Sequence, residues 1–153
     1  MPAVIRRRVA ADPDSVWAAV TDFAAHGRFV PFTEILCEPA APRSPHQGWR
    51  FIGRTRLGPL VVDDPMRLTR WKPPDEHGIG AFHAHKVGPV LTGWAAVEVR
   101  AVPGGATVTW SEHIRLRVAL PRWLDLILGR VVDRASGWLF ARVVDGLLAP
   151  GDS

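Results

Sequence analysis

The period of the apolar residues changes once along this chain, and this change limits the fold more than any other feature. Between residues 34 and 117, short apolar segments alternate with turns rich in Pro and Gly, and no helical segment separates them. After Pro121 the apolar residues recur with a helical period, and over residues 121–147 they form one wide stripe. We therefore predict an antiparallel sheet followed by one amphipathic helix, roughly 40 Å long at 1.5 Å per residue.

The turn residues divide the first part of the chain into strands. The predicted strands are 3–10, 34–39, 48–57, 60–72, 79–87, 91–102 and 106–117. The plainest turns are "APRSP" at 41–45, "KPPDEHG" at 72–78 and "PGG" at 103–105. Within strand 60–72, the sequence Asp63–Asp64–Pro65 predicts a bulge or bend, because proline cannot donate to a strand ladder.

Two short helices are predicted after the first strand. Asp12 is a good N-cap, Pro13 suits the first helical turn, and Asp14 lies where the helix dipole favours an anion. A second short helix is expected between residues 22 and 30, because Gly27 and Pro31 interrupt the pattern there.

Composition excludes several classes of protein. The chain has 153 residues, and we expect one domain over residues 1–150 with a short tail at 151–153. Cys37 is the sole cysteine, so an internal disulfide is impossible and a cytoplasmic location is expected. Net charge is +4, yet Arg6–Arg7–Arg8 is the only basic run, so nucleic acid is not an expected partner. No apolar stretch reaches the roughly 18 residues of a membrane span, so stable membrane insertion is not expected.

Four segments carry a resemblance to a known family: "ADPDSVWAAVTDFAAHGRFVP" (11–31), "DDPMRLTRWKPP" (63–74), "HKVGPVLTGWAAVEV" (85–99) and "GGATVTWSE" (104–112). With the terminal helix they span almost the whole chain, which resembles the START-like, or SRPBCC, superfamily of polyketide cyclase/dehydratases and lipid-transfer domains. The resemblance implies the α+β helix-grip fold, in which a curved seven-stranded antiparallel sheet with two short helices after strand 1 grips a long C-terminal helix.

The resemblance also implies a function. It predicts an internal cavity between sheet and C-terminal helix that binds a hydrophobic small molecule of polyketide, lipid or isoprenoid type. The alternative is a polyketide cyclase/dehydratase, although the chain has no Tyr, a residue that often serves in the pockets of related cyclases. Neither a cofactor nor a metal is expected. Docking on a membrane surface through Trp123 and Leu126 is a third interpretation, and the oligomeric state stays open, a homodimer included.

Glu112 is the leading candidate site residue. In "VTWSEHIRL" (108–116), it shares a strand face with Val108, Trp110 and Ile114, an otherwise apolar face that the resemblance points into the cavity. A buried carboxylate must be paired, hydrogen-bonded or protonated. One interpretation is a structural residue that pairs with an Arg or reaches solvent at the cavity mouth. The other is a general base or a group that orients the ligand.

Arg7 and His85 complete the candidate catalytic set. Arg7 shares a face with Ile5 and Val9, so it is expected either to point inward, towards Glu112 or a ligand carbonyl, or to be an exposed member of the basic run. His85, with His83 two residues before it, is a candidate acid–base or cavity-lining residue. The pair also has the spacing of a zinc site, which His113 or Glu112 would complete, but the resemblance predicts no metal. In the alternative register, Phe82, Ala84 and Lys86 point inward instead.

Further candidates are assigned to the cavity wall. Four tryptophans offer large flat surfaces for a ligand, and branched or small residues of the last strand and the terminal helix complete the wall. The predicted ligand-binding set is Trp49, Trp71, His83, Trp110, Ile114, Val131, Ala135 and Trp138. In the same helix, Gly129, Gly137 and Gly146 each cost about 1 kcal/mol relative to Ala, which predicts a bend or a space beneath the helix.

Overall fold

The fold is a single seven-stranded antiparallel sheet, curled into a half-barrel, with helices on its concave face. The computed structural model describes residues 2–38, 44–117, 138 and 141–149. The strands, named β1 to β7 in chain order, are Ala3–Val9, Thr33–Glu38, Arg50–Leu57, Leu60–Lys72, Ile79–Val87, Leu91–Val102 and Gly105–Leu116. Their order in the sheet is β1-β7-β6-β5-β4-β3-β2. The α+β helix-grip fold class predicted from the sequence is confirmed.

Helices α1 (Pro13–Thr21) and α2 (Phe23–His26) follow β1, as predicted. The Ser15 amide donates to Asp12 Oδ1 at 2.9 Å, which confirms the N-cap. The second helix is shorter than the predicted range, because the chain must turn at Gly27 into β2. A Cβ atom at Gly27 would lie 3.0 Å from the carbonyl oxygen of Thr33, so this close approach favours glycine.

The strand bounds agree with the sequence pattern to within two residues at each end. The predicted bulge at Asp63–Asp64–Pro65 is wrong, because the β3–β4 ladder runs through these residues without a shift. The irregularity lies instead between Leu68 and Arg70, in the pairing of β4 with β5. Pro65 is tolerated because the β4–β5 pairing begins only at Met66, opposite Lys86, so no ladder bond to β5 needs the missing N–H group.

The core lies between the concave face of the sheet and the helices. Helix α1 contributes Val16, Trp17 and Val20, all buried, and Phe23 opens α2 against the same cluster. From the sheet, the buried side chains are those of alternate residues, as the period of two requires. They include Phe51, Leu68, Phe82, Val97, Val99, Val108 and Trp110.

Residues 141–148 form a helix that covers the open side of the half-barrel. Val143 and Val144 are each 1% exposed. Most of the predicted helix lies outside the described residues, and Val131, Ala135, Gly129, Gly137, Trp123 and Leu126 fall there. Within the described part of the chain, no helix is both long and apolar enough to cross a membrane.

Trp138 corrects the predicted apolar stripe of this helix. Its side chain is 60% exposed, and the Arg142 guanidinium lies over its ring at 5.6 Å from the centroid. On a helix with 3.6 residues per turn, position 138 lies roughly 190° from the midpoint of Val143 and Val144. Since those two valines face the core, Trp138 belongs to the solvent side.

Gly146 marks a close contact between the terminal helix and the segment after α2. A Cβ atom on Gly146 would lie 2.8 Å from Cζ of Phe29, and closer still to Cδ1 and Cε1. The ring of Phe29 therefore occupies the space that any side chain at position 146 would need. At this position the predicted space beneath the helix is not empty, because the ring of Phe29 packs against the helix backbone.

The effect of Gly146→Ala on the free energy of unfolding is expected to change sign when Phe29 is removed. In the wild-type background it should lower the free energy of unfolding by about 1–2 kcal/mol, because overpacking outweighs the gain in helix propensity. In a Phe29→Ala background the same substitution should raise it by up to about 1 kcal/mol. Urea unfolding of the four proteins tests this, and a loss of equal size in both backgrounds would contradict the contact.

Candidate functional site

A cavity of about 230 Å³ lies between the concave face of the sheet, α2 and the terminal helix. Most of its wall is apolar. The apolar wall residues include Phe23, Val30, Ile35, Phe51, Val62, Met66, Phe82, Leu91, Trp110, Ile114 and Val143. The polar wall residues are His26, Thr33, Thr55, Asp64, Lys86 and Glu112. An interior of this composition suits an apolar molecule held in place by few polar contacts.

Three of the polar residues form one connected group, which we call the buried triad: Asp64, Lys86 and Glu112. The Lys86 ammonium donates to Asp64 Oδ2 and lies 3.6 Å from Glu112 Oε1. Glu112 Oε2 accepts a hydrogen bond from the Trp110 indole Nε1 at 3.3 Å. Lys86 and Glu112 are 8% and 3% exposed, so the ammonium is almost fully removed from water between its two carboxylates.

The strand register explains how three strands can build this triad. Lys86 on β5 pairs with Gly93 on β6, and Glu112 on β7 pairs with Ala95 on β6. Because Gly93 and Ala95 have little or no side chain, the long Lys86 side chain can reach across β6 to Glu112. On its other side Lys86 pairs with Met66 of β4, and Asp64 is the next residue of β4 on the same face.

Burial dominates the protonation of Glu112. Loss of hydration raises the pKa of the Glu112 carboxyl to about 7, against the opposing effects of the Lys86 charge and the Trp110 hydrogen bond. For Lys86, burial alone would lower the pKa of the ammonium, but Glu112 and Asp64 more than compensate and raise it. The triad therefore holds a charged lysine beside a carboxyl that exchanges its proton near neutral pH, the property expected of a general acid or base.

His26 is a further polar wall residue, and it comes from α2. Its Nε2–H group donates to the carbonyl oxygen of Val20 at 3.0 Å. The centroid of its ring lies 5.6 Å from the centroid of the Trp110 ring. Burial lowers the pKa of the imidazole to about 4, so the ring is neutral at pH 7. Neutral His26 thus packs against Trp110, which in turn donates to Glu112.

The structure brings three of the predicted site residues together at this cavity. Glu112 lies on the concave face with Trp110 and Ile114, as the alternation of "VTWSEHIRL" predicts. Two predicted wall residues, Val131 and Ala135, lie outside the described residues. The roles of the three cavity residues in binding or catalysis stay predictions.

The assignment of His83 and His85 to the cavity is wrong. Both lie on the convex face of β5, because Phe82, Ala84 and Lys86 occupy its concave face. This is the alternative register that the sequence also allowed. Zinc held by these histidines together with Glu112 is therefore impossible, since the sheet separates them. Among the described residues, no group of three or more His, Cys, Asp or Glu side chains is placed to hold a metal ion.

Arg7 does not pair with Glu112. It lies on the predicted side of β1, but its Nε donates to Asp145 Oδ1 of the terminal helix at 2.6 Å. The Asp145 carboxylate also raises the pKa of the Arg7 guanidinium. Opposite Val108 in the β1–β7 ladder, Arg7 lies at the sheet edge with its side chain 40% exposed, so it ties the helix to the sheet instead of lining the cavity.

Trp49, Trp71 and Trp138 are also absent from the cavity wall. Trp49 packs against Phe23 at 5.5 Å, and Trp71 packs against Trp17 at 5.0 Å between ring centroids. Both are core residues, because the aromatic side chains of α1 and α2 cover them. Trp138 faces solvent, because it lies on the side of the helix opposite Val143 and Val144.

Sequence reasoning misses Asp64, His26 and the role of Lys86. The sequence pattern assigns Asp64 to a bend, and His26 to a short helix without further function. The available signal is the alternation "FHAHK", which places either two histidines or one lysine inside. A lysine in an otherwise apolar set is a marker of a buried ion pair, because an unpaired buried ammonium is too costly to persist.

The comparisons with known proteins agree with this fold. Residues 3–147 match the family model described as polyketide cyclase/dehydrase and lipid transport. A search of the curated proteins finds no significant match.

Three solved structures with the same fold are similar over nearly their full length. The ZhuI aromatase/cyclase from Streptomyces sp. R1128 is 15% identical, with a TM-score of 0.65, 96% of this chain covered and 93% of that one. A START superfamily protein from Mycobacterium smegmatis is 9% identical, with a TM-score of 0.67 and 96% of each chain covered. The protein TTHA0849 from Thermus thermophilus is 13% identical, with a TM-score of 0.66, 99% of this chain covered and 100% of that one.

Glu112→Gln is expected to change the pH dependence of stability. The native pKa of about 7 lies above the ordinary value of 4.5, so the native state binds more protons between these values. Wild-type stability due to Glu112 is therefore complete below about pH 4.5 and is lost as the pH rises through 7. The free energy of unfolding of Glu112→Gln minus that of wild type should rise by about 2–3 kcal/mol from about pH 5 to about pH 8.

Taking this difference removes the contribution of the other titrating groups. In the part of the chain that the structure describes, the groups that face Glu112 are Lys86 from β5, Asp64 from β4 and Trp110 from its own strand, with His26 behind Trp110. His26 acts in the opposite direction, since its lowered pKa makes stability fall as the pH drops below 6.5. Asp63→Asn is the control, because Arg54 lowers the pKa of Asp63 from 3.8 and both of its states titrate below this window. A flat difference for Glu112→Gln in urea unfolding would refute the raised pKa.

Proposed function

Because this chain belongs to the polyketide cyclase/dehydrase and lipid transport family, we propose that it binds a hydrophobic small molecule of polyketide, lipid or isoprenoid type in the cavity between its sheet and its helices. The observation that carries the proposal is the cavity itself, an apolar interior of about 230 Å³ whose described wall residues include one charged cluster. Apolar surface inside such a cavity gains free energy when a ligand replaces water, at about 25 cal/mol per Å².

The buried triad is the polar end of the proposed binding site. Most of the other described wall residues offer rings and aliphatic side chains, which attract an apolar body without fixing its orientation. Among the described wall residues, the charged groups are gathered at one place, at Asp64, Lys86 and Glu112. A ligand with one polar group should therefore bind with that group at the triad and its apolar body against Phe23, Phe82 and Trp110.

A cyclase/dehydratase activity is the second candidate function, and the raised pKa of Glu112 favours it. A carboxyl that titrates near pH 7 can remove a proton from the carbon between two carbonyl groups and return it to an oxygen. The Lys86 ammonium, which lies 3.6 Å from Glu112 Oε1, would stabilise the negative charge that develops on that substrate oxygen. Arg7 and His85 have no part in this mechanism, because neither lines the cavity.

Ala95→Phe is expected to block the binding site. Ala95 lines the cavity between Ala84 and Glu112, so a phenyl ring there fills the space that a ligand needs. Affinity for N-phenyl-1-naphthylamine, an uncharged fluorescent probe, should fall at least tenfold. Ala96→Phe is the matched control, because Ala96 is the next residue on the convex face and should leave affinity unchanged. Equal affinity of both variants, with thermal unfolding showing both folded, would exclude the cavity as the site.

The proton-transfer candidate makes its own prediction. Incubated with a short β-ketoacyl thioester in deuterium oxide, the wild-type protein should accelerate exchange at the carbon between the carbonyls, as followed by NMR. Glu112→Gln should slow this exchange about 100-fold or more, the usual contribution of a general base. Exchange no faster than in buffer alone would remove the enzyme candidate and leave the binding proposal intact.

A further inference from the structure

Asp64 carries an unsatisfied acceptor at the cavity wall. Its Oδ2 accepts a hydrogen bond from Lys86, but its Oδ1 is buried and has no hydrogen-bond partner among the described residues. A buried carboxylate oxygen without a donor is costly, because it loses hydration and gains nothing in return. The oxygen therefore favours any molecule that brings a donor into the cavity.

The residue paired with Asp64 on β3 has no side chain. Asp64 pairs with Gly53 of β3 on the concave face, and Gly53 also lines the cavity. Because Gly53 has no side chain, the directly paired residue of β3 does not cover the Asp64 carboxylate. Thr55 and Ile35 continue the wall around this position, so a small polar head group at Asp64 would extend into apolar surroundings.

The charges of the triad oppose a ligand anion. Two carboxylates face one ammonium, so the triad carries a net negative charge whenever Glu112 is ionised. The Lys86 ammonium is already committed to Asp64 and lies within 3.6 Å of Glu112. A ligand carboxylate would be a third anion in a poorly hydrated site, and its repulsion would not be offset.

We propose that the cavity selects ligands whose head group is uncharged and donates a hydrogen bond, such as an alcohol, with Asp64 as the residue that determines this specificity. The inference rests on the binding function proposed above and adds a chemical class of ligand to it. Ketones of the same length, which only accept, leave Asp64 Oδ1 unsatisfied.

Three ligands of equal chain length test the inference. Decan-1-ol, decan-2-one and decanoate are titrated at about pH 8 against the protein loaded with N-phenyl-1-naphthylamine, and displacement is read from the loss of fluorescence. Decan-1-ol should bind at least tenfold more tightly than either competitor, since a hydrogen bond to a charged acceptor contributes more than a neutral one. Alcohol and ketone within threefold of each other would overturn the inference.

Asp64→Asn should abolish or reverse the preference for decan-1-ol over decan-2-one. Lys86 only donates, so the Asn carbonyl oxygen should take the place of Oδ2 and its NH₂ group should take the place of Oδ1. The wall then presents a donor, and decan-2-one should bind at least as tightly as decan-1-ol. Asp63→Asn, on the convex face and paired with Arg54 at 2.7 Å, is the matched control and should keep the wild-type ratio.

The outcomes distinguish a failure of this inference from a failure of the proposed binding function. If all three ligands displace the probe with similar affinity, the cavity binds apolar molecules and the inference about Asp64 is wrong. If neither the probe nor any of the three ligands binds, the proposed function itself fails, and the inference fails with it. If Asp64→Asn does not fold, the wild-type ratio of alcohol to ketone still decides.

Discussion

The burial of the Lys86 ammonium between two carboxylates is the interaction on which the interior of this protein depends. Removing one partner of such a group typically costs about 3–5 kcal/mol, because a charge is left without compensation. The triad joins β4, β5 and β7, so a slip of one residue in any of these strands would break it. It therefore restricts the sheet to one register and leaves a polar group on an otherwise apolar wall.

The cavity exists because the concave face carries small residues where the triad crosses it. Gly53, Ala84 and Ala95 line the space between larger neighbours, while Phe23 from α2 and Val143 from the terminal helix cover it. The helix cannot move closer to the sheet, since Phe29 already occupies the place where Gly146 lacks a side chain. A sheet curled around a helix thus keeps a gap, and in the described part of the chain this apolar gap also holds the buried ionisable groups.

Much of the fold follows from local patterns that the sequence displays directly. The alternation of "VTWSEHIRL" places Glu112 inside, and the Asp12–Pro13 start of α1 is a property of neighbouring residues alone. The site was less predictable. On β5, the sets His83/His85 and Phe82/Ala84/Lys86 alternate equally well, and only cross-strand pairing decides between them. Arg7 lies on the predicted face of β1. Its partner, Asp145, is 138 residues away in the chain, in a helix whose position the sequence does not specify.

By itself, the sequence determined the order and bounds of the strands, the two helix starts, the change of period after Pro121 and the presence of a carboxylate on an apolar face. These depend on neighbours within a few residues, where propensity and periodicity act. The tertiary structure alone decided that Lys86 joins Glu112, that Asp64 completes the group, and that His83, His85 and Arg7 stay outside the cavity. Such partners come from strands far apart in the chain, and the free energy of pairing buried charges depends on distances that only the packed sheet sets.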